Sequence, residues 1–213
     1  MARPVTGTVL ERLGAIGLIP VVTIDDAAHA RELATALGSG GIPCAEITLR
    51  TAAGLAALAA IADIPGFIAG AGTVLTADQV DQVADAGAQF IVSPGFDADV
   101  VDRARDRGLA VLPGVATATE IQRALRAGVE VVKFFPADRL GGLPTIAALS
   151  APFPTLTFVP SGGIGPDNAV EYLRHPAVLA VSGSWMVPRD RVAAADFDAI
   201  RELSVVAADL VSI

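Results

Sequence analysis

The chain of 213 residues contains very little lysine, cysteine or histidine. Lys133 is the single lysine among 15 basic residues, so every other cation is an arginine. The one cysteine, Cys44, excludes an internal disulfide framework and predicts a buried thiol in a reducing cytoplasm. The two histidines, His29 and His175, lie in separate helical segments and form no ligand cluster. The sequence therefore predicts no metal site.

Positive charge is also scarce, and the net charge is −8. Such a balance opposes electrostatic binding to nucleic acid or to an anionic membrane surface. An anionic ligand must then be held by a local group of donors. No basic region followed by an apolar run opens the chain, and the longest uncharged stretch, residues 140–166, is broken by prolines and glycines. We therefore expect no signal peptide, no membrane span and a cytoplasmic location.

What the chain does have is a high hydrophobic content, 53%, with few aromatic residues. Short apolar runs recur about every 20–26 residues, the length of a strand, a helix and two loops. The runs do not alternate with polar residues, which is typical of parallel strands buried on both faces. They cover residues 18–23, 45–49, 67–71, 90–93, 110–113, 131–135, 157–160 and 179–182.

Eight βα units without a long linker predict one α/β domain over residues 1–213, preceded by a helix near residues 4–13. The two candidate architectures are a closed (β/α)8 TIM barrel and a doubly wound open sheet. No Gly-x-Gly-x-x-Gly follows the first strand, which disfavours the dinucleotide-binding form of the open sheet. In a barrel, the reactive groups lie at the carboxyl ends of the strands.

Lys133 is the sharpest candidate at those strand ends, because two apolar residues flank it on each side. A lysine in an apolar strand is costly unless it is neutral or paired, and a lysine, unlike an arginine, can act as a nucleophilic amine. Glu46 is the one acid in the middle of a predicted strand, and it could exchange protons or pair with Lys133 or Arg50. The alternative is a buried ion pair with a purely structural role.

Two further groups suggest anion binding. Arg50 and Thr73 could hold a carboxylate through a charged fork and a hydroxyl group. The segments Ser161-Gly162-Gly163 and Gly183-Ser184 follow strands seven and eight, where glycines let backbone N–H groups approach a phosphate. The alternatives are a solvated arginine and two tight turns.

Several longer segments resemble the bacterial 2-keto-3-deoxy-6-phosphogluconate (KDPG) aldolases, a family that overlaps with the 4-hydroxy-2-oxoglutarate (KHG) aldolases. The resemblance extends over essentially the whole chain. It is carried by Glu46-Ile47-Thr48-Leu49-Arg50, Gly70-Ala71-Gly72-Thr73-Val74-Leu75, Gly87-Ala88-Gln89-Phe90, Ser93-Pro94-Gly95, Lys133-Phe134-Phe135-Pro136-Ala137, Gly162-Gly163-Ile164 and Gly183-Ser184-Trp185.

This resemblance implies a class I aldolase, a TIM barrel and a homotrimer, with no cofactor because the substrate forms a Schiff base with Lys133. It also implies that Glu46 transfers protons. Substrate binding is expected from Arg50 and Thr73 at the pyruvyl carboxylate, from Pro94, Phe135 and Ser161, and, at the phosphate, from Gly162, Gly163, Gly183 and Ser184. The family usually has threonine where this chain has Ser161, which leaves substrate selectivity open.

The expected reaction is cleavage of KDPG to pyruvate and glyceraldehyde 3-phosphate, with cleavage of KHG to pyruvate and glyoxylate as a second activity. The galactonate epimer of KDPG is an alternative substrate. Two other functions stay open: a sugar-phosphate isomerase or epimerase without a covalent intermediate, and a non-catalytic barrel that binds a phosphorylated metabolite.

Overall fold

The structure, a computed structural model, describes residues 8–212. Within that range, the chain has nine strands and ten α-helices. The strands are β1 Leu18–Val22, β2 Cys44–Thr48, β3 Ile68–Gly72, β4 Phe90–Val92, β5 Ala110–Leu112, β6 Gly114–Val115, β7 Val131–Phe134, β8 Thr157–Pro160 and β9 Val181–Gly183. The α-helices are α1 Val9–Ile16, α2 Ala30–Ser39, α3 Gly54–Ile61, α4 Ala77–Asp85, α5 Ala98–Asp106, α6 Ala118–Arg126, α7 Gly142–Ser150, α8 Ala169–Leu173, α9 Arg189–Ala193 and α10 Phe197–Val211. Two short 3₁₀ helices cover Ala27–His29 and Asp138–Leu140.

The strands form two curled sheets in which every strand pairing is parallel. The larger sheet has the order β5-β4-β3-β2-β1-β9, and the smaller has the order β6-β7-β8. The parallel α/β architecture expected from the apolar runs is therefore confirmed. A single continuous ring of eight strands is not what the structure has, since nine strands divide into sheets of six and three within residues 8–212.

Pro113 separates the two sheets at one border, where the sequence predicts a single strand over residues 110–113. A proline has no N–H to donate to a ladder, so the pairing partner changes across it. Before it, Leu112 of β5 pairs with Val92 of β4. After it, Gly114 of β6 pairs with Lys133 of β7.

At the other border, two isolated bridges join the end of β8 to the region of β9. They pair Phe158 with Val178 and Ser161 with Ser182. Pro160 lies between Phe158 and Ser161, the two bridged residues on the β8 side. Because a proline has no N–H to donate, the two bridges do not merge into a ladder.

The helix termini follow local sequence signals. Thr117 and Glu120 form the capping box that their spacing predicts, and Thr76 caps α4. The helix predicted near residues 4–13 corresponds to α1, which begins at Val9 after a second capping box formed by Thr8 and Glu11. Residues 4–7 of that prediction lie outside the described range.

Alternation along β7 determines where the lysine points. Val132 and Phe134 are fully buried on one face of the strand, so Lys133 projects from the opposite face. Phe134 packs edge-to-face against Phe158 of β8, with ring centroids 6.4 Å apart. The aromatic packing on one face thus fixes the strand that carries the amine on the other.

None of the helices in the described part of the chain is both long and apolar enough to cross a bilayer.

Candidate active site

A buried amine and a buried carboxylate meet between the two sheets. The Nζ of Lys133, on β7, lies 3.4 Å from Oε1 of Glu46, on β2. Their residues are only 8% and 2% exposed. Taking two such charges out of water is costly, and breaking the pair by removing one partner leaves the other charge uncompensated. Of the two partners that the sequence offers Glu46, which are Lys133 and Arg50, the structure shows contact with Lys133.

The Glu46 carboxylate is confined by its neighbours. Its Oε2 accepts a hydrogen bond from the buried hydroxyl of Ser182 at 3.5 Å. On the adjacent strand, a Cβ at Gly72 would overlap Oε1 of Glu46, so the absence of a side chain there makes room for the carboxylate. The ring of Phe135 lies 5.3 Å from Nζ of Lys133, within the range of a cation–π contact.

Arg50 lies near the ends of β1 and β2. Its Nη2 donates to Oγ1 of Thr23 at 2.8 Å. Thr48 donates its hydroxyl to the carbonyl of Val22, also at 2.8 Å. These bonds tie the end of β1 and the loop after it to the end of β2, and the bond to Thr23 orients the guanidinium group of Arg50.

Thr73 has a backbone conformation that is unusual for its type. Its φ is 61°, in the left-handed region that a β-branched residue rarely adopts. Thr73 directly follows β3 and lines the same cavity as Arg50. Strain of this kind persists where the surroundings impose it, and it clusters at functional sites.

The loop after β8 consists of glycines held from two sides. Gly162 and Gly163 have φ values of 90° and 80°, which favour glycine. From the β7 side, Asp138 donates its backbone N–H to the carbonyl of Gly162 at 3.0 Å. From the α8 side, Asn168 accepts from the N–H of Gly165 and donates to the carbonyl of Gly163, both at 2.9 Å. The loop is therefore fixed by hydrogen bonds although it contains few side chains.

The buried pair, Arg50, Thr73 and the glycines at 162 and 163 all line one cavity of about 460 Å³. Every site residue predicted from the sequence lines it: Glu46, Arg50, Thr73, Pro94, Lys133, Phe135, Ser161, Gly162, Gly163, Gly183 and Ser184. Ser161 is 5% exposed, so its hydroxyl is a buried part of the wall. The volume is within the range of small-molecule sites.

The cavity wall contains further residues that were not among the predicted site residues, namely Val21, Thr23, Thr48, Ile164, Ser182, Val187 and Arg189. Ser182 and Thr48 carried a weak signal, a hydroxyl within an apolar strand. Arg189 carried none, because it follows β9 by several residues and its partner, Asp25, is 164 positions away in the chain.

The single cysteine does not line the cavity. Burial raises the pKa of the Cys44 thiol, which donates to the carbonyl of Leu18 at 3.2 Å. A thiol in this state is a poor nucleophile. Among residues 8–212, no three side chains of His, Cys, Asp or Glu come close enough together to hold a metal ion.

Comparisons with known proteins identify the family of this chain. The family described as KDPG and KHG aldolase matches residues 9–203. A 2-dehydro-3-deoxy-phosphogluconate aldolase of Treponema pallidum is 49% identical over 198 residues, which is 92% of this chain and 94% of the relative.

Two solved structures extend the comparison to the fold. The KDPG aldolase of Zymomonas mobilis, solved with 3-phosphoglycerate, has a TM-score of 0.87 and 41% identity over 93% of each chain. The KDPG aldolase of Legionella pneumophila, solved with pyruvate as a covalent carbinolamine, has a TM-score of 0.89 and 38% identity, covering 93% of this chain and 98% of that one.

A parallel α/β fold with an amine–carboxylate pair in its cavity, matched over most of its length by aldolases, defines the class of this protein: it is a carbon–carbon lyase. More particularly, the chain belongs to the KDPG and KHG aldolase family.

Proposed function

We propose that this protein is a class I aldolase that cleaves KDPG to pyruvate and glyceraldehyde 3-phosphate, with Lys133 as the nucleophile. The observation that carries the proposal is the contact between Lys133 and Glu46, 3.4 Å apart and nearly excluded from solvent. A carboxylate this close can take and return the protons that Schiff-base chemistry requires.

The first half of the reaction joins substrate and enzyme. Lys133 in its amine form attacks the C2 ketone, and Glu46 relays protons so that the carbinolamine loses water and becomes an iminium ion. Glu46 then accepts the proton of the C4 hydroxyl group. The C3–C4 bond breaks, its electron pair moves to the iminium, and glyceraldehyde 3-phosphate leaves.

The second half releases pyruvate. The enamine that remains on Lys133 takes a proton at C3, and water hydrolyses the resulting iminium ion to pyruvate and free lysine. The iminium ion accepts the electron pair of the broken bond, so this route needs neither a metal nor an organic cofactor.

The remaining cavity residues divide between the two ends of the substrate. Arg50 and Thr73 are proposed to bind the pyruvyl carboxylate, with Pro94, Phe135 and Ser161 along the carbon chain. Backbone N–H groups of a glycine loop favour anions. We assign the phosphate to Gly162, Gly163, Gly183 and Ser184.

Three candidate substrates share the pyruvyl half of the molecule and differ in the aldehyde half. Cleavage of KHG is included as a second activity, and the galactonate epimer of KDPG is the alternative phosphorylated substrate. Ser161 offers a hydroxyl without the methyl group of a threonine, which leaves more room beside the substrate chain. Turnover on the three substrates, measured side by side, ranks them.

We propose one domain over residues 1–213, with the two sheets meeting at their borders as a closed barrel, in a cytoplasmic homotrimer. The bridge between Ser161 and Ser182 supports closure at one border. Exposed apolar side chains such as Leu75 and Val206, 52% and 65% exposed, suit subunit contacts. Sedimentation equilibrium of the purified protein tests the trimer.

The direct test of the mechanism is trapping with pyruvate and borohydride, followed by intact-mass and peptide analysis. Because Lys133 is the single lysine, no other side-chain amine can form the adduct. We expect one reduced pyruvyl group on Lys133 and none in a Lys133→Arg variant. An unmodified wild-type protein that isomerises or epimerises a sugar phosphate would instead support the non-covalent isomerase or epimerase. An unmodified and inactive protein would support a binding function.

A further inference from the structure

Arg189 is a charged cavity residue outside the set assigned above. It is the first residue of α9 and lines the cavity together with Gly162, Gly163 and Ser184. The other charged residues of the cavity wall are Lys133, Glu46 and Arg50. The first two pair with each other, and Arg50 donates to Thr23. Arg189 is therefore the cation of the cavity wall that has no role in the proposed function so far.

The guanidinium group of Arg189 is oriented by Asp25, in the loop after β1. Nε donates to Oδ2 at 3.0 Å, and Nη2 donates to Oδ1 at 2.9 Å, a bidentate pair. The hydrogen bonds from Arg189 hold the pKa of Asp25 below its ordinary value, so the pair stays charged at neutral pH. Nη1 takes no part in this pair, and no bond joins it to a protein atom among residues 8–212.

Stability alone does not explain this pair. The two side chains are 65% and 47% exposed, and an ion pair so open to water adds little to the free energy of unfolding. Its effect is to hold a cation at the mouth of the cavity in a fixed orientation. A guanidinium that is already oriented loses less freedom when it binds an anion.

The residues assigned to the glycine end of the cavity provide no positive charge of their own. Gly162, Gly163, Gly183 and Ser184 offer N–H and hydroxyl groups but no charge, while the chain as a whole carries −8. The nearby carboxylate of Asp138 belongs to a residue that packs behind Gly163 and does not line the cavity. A phosphate dianion entering here would meet Arg189 as its local positive charge.

We propose that Arg189 is a specificity-determining residue that binds the terminal anion of the substrate through the N–H groups left free by Asp25, and that Asp25 is the residue that positions it. This inference rests on the proposed aldolase function and deepens it, because it makes recognition of a phosphorylated substrate depend on a side chain as well as on the glycine loop. The competing explanation is a clamp that only ties α9 to the loop after β1.

The test compares three variants on KDPG and on 2-keto-3-deoxygluconate, the same substrate without its phosphate. Arg189→Gln removes the cation, and Asp25→Asn removes only its anchor. Arg191→Gln is the matched control, because Arg191 lies on the same helix, pairs with Asp196 at 2.6 Å and does not line the cavity.

For Arg189→Gln, we expect the KM for KDPG to rise about three- to tenfold, as for the loss of one partly solvated charge-assisted bond, with little change in kcat. The KM for the unphosphorylated substrate should not move, and Arg191→Gln should behave as wild type. Asp25→Asn keeps the cation, so it should raise the KM for KDPG less than Arg189→Gln does. Equal increases on both substrates, equal effects of Arg189→Gln and Asp25→Asn, or the same effect from Arg191→Gln would overturn the proposal.

A binding measurement separates this inference from the aldolase mechanism. Calorimetric titration with inorganic phosphate alone requires no catalysis. We expect phosphate to bind Arg189→Gln several-fold more weakly than wild type, while both proteins form the same borohydride-trapped pyruvyl adduct. If wild type forms no adduct but the phosphate difference stands, the mechanism fails and the anion site remains. If the adduct forms and phosphate binding is unchanged, the role of Arg189 fails.

Discussion

The two ends of the cavity consist of different chemical groups, buried side chains at one end and mainly backbone at the other. At the inner end, two ionisable side chains, Lys133 and Glu46, face each other across the sheets and are almost fully buried. At the outer end, the wall is made of backbone, with Gly162 and Gly163 in conformations that favour glycine and an exposed ion pair at the rim. The contrast predicts that substitutions at the inner end change turnover, whereas substitutions at the outer end change substrate affinity.

The largest effect is expected from Lys133→Arg, which preserves the charge beside Glu46 but removes the nucleophile. An arginine does not form the Schiff base, so kcat should fall by about 10⁴-fold or more. Steady-state cleavage of KDPG measures this loss, and circular dichroism checks that the fold is retained. Full activity in this variant would remove the covalent mechanism.

Glu46→Gln should be the next most damaging change. The amide fills the same space beside Gly72 but cannot accept a proton, and loss of a general acid–base group costs about 10²–10⁴-fold in kcat. The rate of trapping with pyruvate should fall as well, because carbinolamine dehydration uses the same carboxylate. Unchanged turnover would exclude Glu46 from the proton relay.

At the outer end, Gly163→Ala should change affinity more than turnover. The residue has φ 80°, and an added Cβ would overlap Cβ of Asp138, so the loop must shift. Displacement of the phosphate donors should raise the KM for KDPG by about tenfold, which corresponds to about 1.4 kcal/mol of lost binding free energy.

Gly165→Ala is the control for that loop. An added Cβ at Gly165 meets no atom within 4 Å, and its N–H still donates to Asn168. Its KM should match wild type. If both alanine variants change kcat and leave KM alone, the division between the two ends is wrong.

The smallest effect is expected from Ser182→Ala, which removes the hydroxyl 3.5 Å from Oε2 of Glu46. The loss of one long hydrogen bond costs about 1 kcal/mol, or about a fivefold fall in kcat, with KM unchanged. Ser204→Ala is the matched control, because Ser204 is also buried but donates to Ile200 within α10. That variant should affect the thermal midpoint alone, and a fall in kcat as large as that of Ser182→Ala would contradict a specific role for Ser182.

The sequence predicts the inner end of the cavity better than the rim. Lys133 and Glu46 were identifiable because a charged residue in an apolar strand stands out, and parallel strands bring their carboxyl ends together. Arg189 and Asp25 were not, since an exposed residue at the start of α9 and an exposed residue in the loop after β1 carry no periodic signal. Asn168 was missed for a similar reason: its bonds to Gly163 and Gly165 depend on how the loop folds back.

The fold shows the same division between pattern and detail. The apolar runs gave the strands and their parallel pairing, because burial on both faces leaves a plain compositional signature. The sequence does not predict the split at Pro113, because the residues before and after this proline are all apolar or glycine. The change of pairing partner from β4 to β7 depends on contacts remote in sequence.

The division into two sheets bears on how the chain becomes active. Lys133 belongs to the three-stranded sheet and Glu46 to the six-stranded one, 87 positions apart. Neither sheet alone contains the pair, so an intermediate with only one sheet formed has no competent centre. During refolding, recovery of aldolase activity should therefore lag behind recovery of helical circular dichroism. The return of activity would then report the time at which the two sheets dock.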